Sequence, residues 1–137
     1  MMNAPVLFLC NRNAIRSPMA AALLGELGVA AESAGVSPGE PDPLSGVALG
    51  EVGLAIGAPP RNVDAVKLGR FGLIVALSPQ AQHRALEMTR NTGTPVEYWQ
   101  VADPSLVDGS REQRLAAYRA VRDELLKKLK QRFKTGV

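Results

Sequence analysis

The chain has 137 residues, a formal net charge of +3 and 46% hydrophobic against 21% charged residues, the balance of a globular protein rather than a disordered one. That length suits one domain over 1–137, with a core that needs neither disulfides nor a structural metal, and one cysteine beside one histidine excludes an internal disulfide and a Cys/His metal cluster. The mild basicity suits an anionic substrate but falls short of a nucleic-acid surface, and no apolar run approaches the roughly 18 residues of a membrane span. With no signal-peptide pattern at its start, the expected compartment is the cytoplasm, where a lone thiol stays reduced.

Val6 to Leu9 is a short continuous apolar run, the pattern of a strand buried on both faces. A polar loop follows, and Ser17-Pro18 then pairs an N-cap residue with proline at a first helical position, predicting a helix that runs to Gly28. Ala31 to Val36 reads as a second strand. Asp42-Pro43 repeats the helix-start idiom, and the second helix is expected from Leu44 to about Ile56, before Ala58-Pro59-Pro60 breaks it. A helical turn is expected near Val63 to Leu68. Gly72 to Leu77 is the clearest buried strand, Ser78-Pro79 opens a third helix, and Val96 to Trp99 is the weakest strand. Ser110 to Gln113 has capping-box spacing, and Leu115, Tyr118, Val121 or Arg122, Leu125 and Leu129 follow at helical intervals. The basic stretch KKLKQRFK at 127–134 reads as the solvated last turns of that helix. Strands that alternate with helices predict an α/β fold, an open, three-layer arrangement of about four parallel strands with helices on both faces.

In such sheets ligands bind beyond the carboxyl ends of the strands, beside the switch in strand order, and Cys10 stands at the end of the first strand. The loop of Asn11, Arg12, Asn13, Ala14, Ile15, Arg16 and Ser17 leads from strand to helix. Such a loop aims backbone N–H groups at one point and adds the positive end of the helix dipole, which makes a cup for a tetrahedral oxyanion. Arg16 would close the cup with a planar fork suited to two oxygens of phosphate, sulfate or arsenate. The same field favours a thiolate, so a nucleophile beneath a bound oxyanion follows. Phosphoryl transfer also needs a proton for the leaving oxygen. Asp103, held extended by Pro104 in a late loop on the ligand side, is the candidate, with Asp108 and Asp64 as rivals. Tyr98 and Trp99 read as sheet-edge packing, and His83 and Arg84 as solvated.

The run C-x-x-N-x-x-R-S-P-M-A from Cys10, ESAGV around Ser33 to Gly35, FGLIVALS at Phe71 to Ser78 and the late Asp103-Pro104 together resemble the low-molecular-weight protein tyrosine phosphatases and the thioredoxin-type arsenate reductases, which share a fold. The resemblance covers nearly the whole chain. It implies that Cys10 attacks phosphorus to form a phosphocysteine, that Arg16 binds the equatorial oxygens, and that Asp103 protonates the leaving group and then activates the hydrolytic water. It also implies that Asn13 orders the loop, with a left-handed backbone that asparagine tolerates, and that Ser17 donates to the thiolate, with no metal or cofactor required. Three departures bear on function. Arg12 stands where these phosphatases usually have glycine, and a positive φ there would strain it. Ile15 replaces a second loop cysteine, and Ser105-Leu106 replaces the aromatics that usually follow Asp-Pro. The expected activity is therefore hydrolysis of a phosphotyrosine protein or a small phosphomonoester. The alternatives are arsenate reduction with an external thiol and an oxyanion-binding module without turnover.

Overall fold

The computed structural model describes residues 4–133. Strands β1 (Val6–Cys10), β2 (Ala31–Gly35), β3 (Leu73–Ala76) and β4 (Val96–Tyr98) form one parallel sheet in the order β2-β1-β3-β4. Helices α1 (Arg16–Glu26), α2 (Pro43–Gly50), α3 (Pro79–Met88) and α4 (Arg111–Phe133) connect and follow the strands. Residues on β1 and β3 alternate between two cores, as the two-residue period of a strand requires. Val6, Phe8 and Cys10 with Leu73 and Val75 pack beneath α1, α2 and α4. Leu7 and Leu9 with Ile74 and Ala76 pack against α3 and the short 3-10 turns at Val63–Ala65 and Leu68–Arg70. Both faces of the sheet are thus covered, and the continuous apolar runs of its two central strands are the consequence.

The register places the site. Cys10 pairs with Gly35 at the end of β1, and the chain leaves β1 for β2 on one side and returns to β3 on the other. The crevice between those two departures opens directly above Cys10. Trp99, one residue past β4, meets the Phe8 ring edge-on at 6.2 Å, so it packs the sheet as expected, while Tyr98 is half exposed on the outer strand.

Helix boundaries show where local signals were overruled. Asp42 and Ser78 cap α2 and α3 through their side chains, and Ser110 and Gln113 exchange both bonds of a capping box at α4. Ser17, however, caps nothing: α1 begins two residues earlier than expected, after Ile15, and the Ser17 hydroxyl turns inward to Cys10. Pro18 still lies in the first turn, where its missing N–H costs no helical bond. Helix α2 stops at Gly50, short of Ile56. Gly53 at φ +79 reverses the chain there, and the N–H groups of Leu54 and Gly53 bond back to Leu49 and Gly50, which is a Schellman ending. On α4, Val121 rather than Arg122 completes the buried stripe.

Strand β2 is tied to the segment before β3 by one carboxylate. Glu32 receives Arg61 at 2.6 Å and Arg70 at 2.7 Å. The Arg70 hydrogen bond, opposed by partial burial and reinforced by Arg61, holds the Glu32 carboxyl at about 2 against its ordinary 4.5. A depressed carboxylate stabilises the fold above its unfolded value and loses that contribution as pH falls through the folded one. Thermal melts should therefore show Glu32→Gln losing less stability than the wild type between pH 4.5 and about 2. Equal losses would mean that the bridge contributes nothing.

Candidate active site

The loop after β1 wraps the Cys10 sulfur. Cys10 is buried, 2% exposed, and its Sγ lies 3.0 Å from Ser17 Oγ and 3.3 Å from the Asn13 N–H. Hydrogen directions follow from the neighbours. The Arg61 backbone N–H donates to Asn13 Oδ1 at 2.9 Å, which turns the Asn13 Nδ2 group toward Ser17 Oγ at 2.8 Å and Ser33 Oγ at 2.9 Å. Ser17 Oγ, already accepting from Asn13, has its own proton within reach of both the sulfur and the Ala34 carbonyl, the latter at 3.4 Å. Asn13 is the non-glycine residue with positive φ, at 54°, among the described residues, and asparagine accepts that geometry better than most. Arg12, in the position where glycine was expected, has no such φ and carries no backbone strain.

The loop is held from every side. Val36, Ser37 and Gly39 donate their N–H groups to the carbonyls of Cys10, Asn11 and Arg12, so the chain beyond β2 runs alongside it. Ser45 of α2 donates to the Ala14 carbonyl, and Ser78 at the start of α3 donates to Asn11 Oδ1. Gly35 makes the close approach possible: a Cβ there would stand 2.9 Å from both the backbone nitrogen and the Cβ of Asn13. With the rim so occupied, the N–H groups of Ala14, Ile15 and Arg16 donate to nothing else among the described residues, the condition for an oxyanion cup.

Arg16 is 8% exposed, and its Nη1 donates to the carbonyls of Leu77 at 3.3 Å and Val101 at 3.0 Å, past the ends of β3 and β4. Its Nη2 points to Asp103 Oδ2 at 3.9 Å. Asp103 adopts the extended backbone that Pro104 favours, and its Oδ1 caps the following 3-10 turn through the Ser105 N–H and hydroxyl, which leaves Oδ2 facing the arginine. Cys10, Arg16 and Asp103 line one cleft of about 490 Å³, with Arg12, Ala14 and Ile15. Asn11, Asn13 and Ser17 do not line it; they stand behind the cup and hold its shape. The rival Asp64 is paired with Arg84 on the other face, and Asp108 is exposed outside the cleft. His83 is exposed, as expected, near Glu87. A buried anion-receptive loop with a thiol at its base, an anchored guanidinium and a facing carboxylate can hold a tetrahedral oxyanion above a sulfur nucleophile.

The family model described as low molecular weight phosphotyrosine protein phosphatase matches residues 5–135. The chain belongs to that family. Among solved structures, an arsenate reductase from Archaeoglobus fulgidus is 32% identical over 96% of this chain and 99% of its own, with a TM-score of 0.75. The YwlE arginine phosphatase from Geobacillus stearothermophilus is 25% identical over 93% of this chain and 89% of its own, also with a TM-score of 0.75. A YwlE mutant from Bacillus subtilis is 25% identical over 94% of this chain and 95% of its own, again at 0.75. No curated protein matches the chain. The phosphatase family thus shares the whole fold with reductases of arsenate, an oxyanion of the same shape as phosphate.

Sequence reasoning missed several parts of this phosphatase-family site. Ser45, Arg61 and Ser78 support the loop from 31 to 67 residues away. Arg111, Arg114 and Asp42 line the cleft, and the Tyr118 hydroxyl donates to Asp42 Oδ2 at 2.7 Å. Burial, with the Asp42 hydrogen bond and charge, pushes the Tyr118 phenol well above its ordinary value, so it stays a donor throughout the working pH range. No local pattern marks these residues, although Asp42 and Ser78 were visible as caps. Gly35→Ala tests the close approach. It should weaken inorganic phosphate binding by tenfold or more in calorimetry while leaving the far-ultraviolet circular dichroism unchanged, and undiminished binding would show that the loop yields to a Cβ.

Proposed function

We propose that the protein is a cysteine-dependent phosphomonoester hydrolase, a protein tyrosine phosphatase acting through a phosphocysteine. The observation that carries this reading is the convergence of the Asn13 N–H and the Ser17 hydroxyl on a buried sulfur at the base of an anion cup. Those groups orient the sulfur for attack, and the cup's free N–H groups with Arg16 bind the phosphoryl oxygens. Arg16 is pre-positioned: its Nη1 is spent on two carbonyls, so its remaining edge meets the transition state without reorganising.

Sγ attacks phosphorus in line, and the S–P bond forms as the P–O bond to the leaving group breaks. Asp103 gives its proton to the departing oxygen. In the second half the Asp103 carboxylate takes a proton from water, the resulting oxygen attacks phosphorus, and the S–P bond breaks to release phosphate and the thiolate. No step needs a second cysteine or a metal. The substrate would be a phosphotyrosine protein or a small phosphomonoester, and the place of action the cytoplasm, where the thiol stays reduced.

A second reading, arsenate reduction, is favoured by the 32% identical arsenate reductase and by a cleft whose lining holds no aromatic ring. With Cys10 the lone cysteine, the arsenic adduct would have to pass to an external thiol.

Hydrolysis of para-nitrophenyl phosphate across pH, without added thiol, separates the two. Wild type should turn over, Cys10→Ser should lose activity by at least about 10³-fold while still binding phosphate, and Asp103→Asn should lose about 10²-fold or more on substrates with poor leaving groups. Arsenate consumption with thiol and no phosphatase turnover would transfer the assignment to the reductase. Full activity in Asp103→Asn would remove that residue from the mechanism.

A further inference from the structure

Seven of the chain's eleven arginines sit within ion-pair distance of a carboxylate: Arg16, Arg61, Arg70, Arg84, Arg119, Arg122 and Arg132. Of the four others among the described residues, Arg90 lies beyond α3, while Arg12, Arg111 and Arg114 all line the cleft that holds Cys10. The cleft wall also carries acids, but they do not serve these three. Asp103 faces Arg16, and both oxygens of Asp42 are taken, one by the Leu44 N–H and one by the Tyr118 hydroxyl. Glu40 stands exposed at the rim without an ion pair among the described residues.

The position of two of these arginines is itself unfavourable. Arg111 is the first residue of α4 and Arg114 lies one turn on, so both cations sit at the positive end of a 23-residue helix. Cations are ordinarily destabilising there, and an anion would relieve both the helix terminus and the guanidinium cluster. In the loop after β1 the Arg12 guanidinium lies over Gly39, where a Cβ would come within 2.5 Å of its Nε, so the missing side chain gives it room along the rim.

We propose that the cleft mouth is a second anion subsite, in which Arg12, Arg111 and Arg114 receive a carboxylate carried by the leaving group beside the phosphorylated side chain, so that acidic phosphotyrosyl peptides are the preferred substrates. The subsite rests on the phosphatase reading and deepens it: where an aromatic wall would select the phenyl ring, this rim selects the charge around it. Guanidinium forks suit carboxylates at such a rim, and the interaction is screened by salt.

The test uses two acetylated, amidated phosphotyrosine hexapeptides that differ only in glutamate or glutamine on both sides of the phosphotyrosine, with para-nitrophenyl phosphate as the reference. Wild type should prefer the glutamate peptide by about tenfold in kcat/KM at low salt, falling toward parity at about 0.5 M salt. The exposed-residue double variant Arg111→Gln/Arg114→Gln should shrink that preference to about threefold or less, with a melting temperature equal to or above wild type because two cations leave the helix N-terminus. A preference near one in wild type, or one that the double variant retains, overturns the subsite. If no substrate is turned over, the phosphatase reading fails by itself. The subsite is then judged by calorimetric affinity of Cys10→Ser for the same two peptides, where equal affinities overturn it and a preference for the glutamate peptide that falls in the added double variant upholds it.

Discussion

The site depends on the amide of Asn13. A loop that turns its N–H groups inward toward one point leaves them without protein partners, so its shape depends on the bonds made to its outer side. Among those restraints the Asn13 side chain binds in both directions: its oxygen takes the Arg61 N–H, and its nitrogen reaches Ser17 and Ser33. The left-handed backbone at the same residue turns the chain toward Cys10, where the Asn13 N–H meets the sulfur. Conformation, loop anchoring and the hydrogen bond to the Cys10 sulfur thus meet in one asparagine.

Around that clamp, the fold divides its tasks between two ends of the chain. The first third builds the cup and the sulfur. The last third brings Asp103 and the first turn of α4, and the two parts are joined by side-chain bonds rather than by the sheet. Arg16 bridges them by donating to Leu77 and Val101, and Tyr118 and Asp42 join α4 to the start of α2. Glu51, just past α2, receives both Arg119 and Arg122, so one turn of the long helix is tied to the end of α2. Exposed pairs of this kind contribute little stability singly, and the start of α4 at the rim of the cleft is marked by the capping box of Ser110 and Gln113. Cys10 at the end of β1 and Asp103 on a short capped turn are held in one cleft through that frame.

The departures from the usual family loop acquire physical meaning in the same frame. Arg12 needs no positive φ, because the left-handed position falls on Asn13, and its guanidinium is free to lie over Gly39. Ile15 closes the cup with an apolar wall where a second thiol would sit in relatives, so the sulfur at Cys10 has no resolving partner in the chain. Charged rather than aromatic side chains shape the mouth.

The order of strands and helices, the buried central strands, the capping signals at Asp42, Ser78 and Ser110, and the pairing of a lone cysteine with Arg16 were all legible in the sequence. Each is a property of a few consecutive residues: apolar runs, a proline after a cap, a fixed spacing. Ser17 shows the limit of that reading, since a serine before proline is a good cap by local rules, yet the sulfur seven residues back claimed its hydroxyl. Gly53 ended α2 early for a similar reason, because a left-handed glycine offered a closed set of hydrogen bonds that the helical pattern did not foretell. What only the tertiary structure decided was the company of the site. The placing of Asp103, rather than Asp64 or Asp108, in the cleft with Cys10, the anchoring of Arg16 on a carbonyl 85 residues away and the lining of the same cleft by Arg12, Arg111 and Arg114 all depend on where the sheet and α4 bring distant segments. Hydrophobic burial drives that packing and carries no record in sequence of which polar groups will meet at its edge.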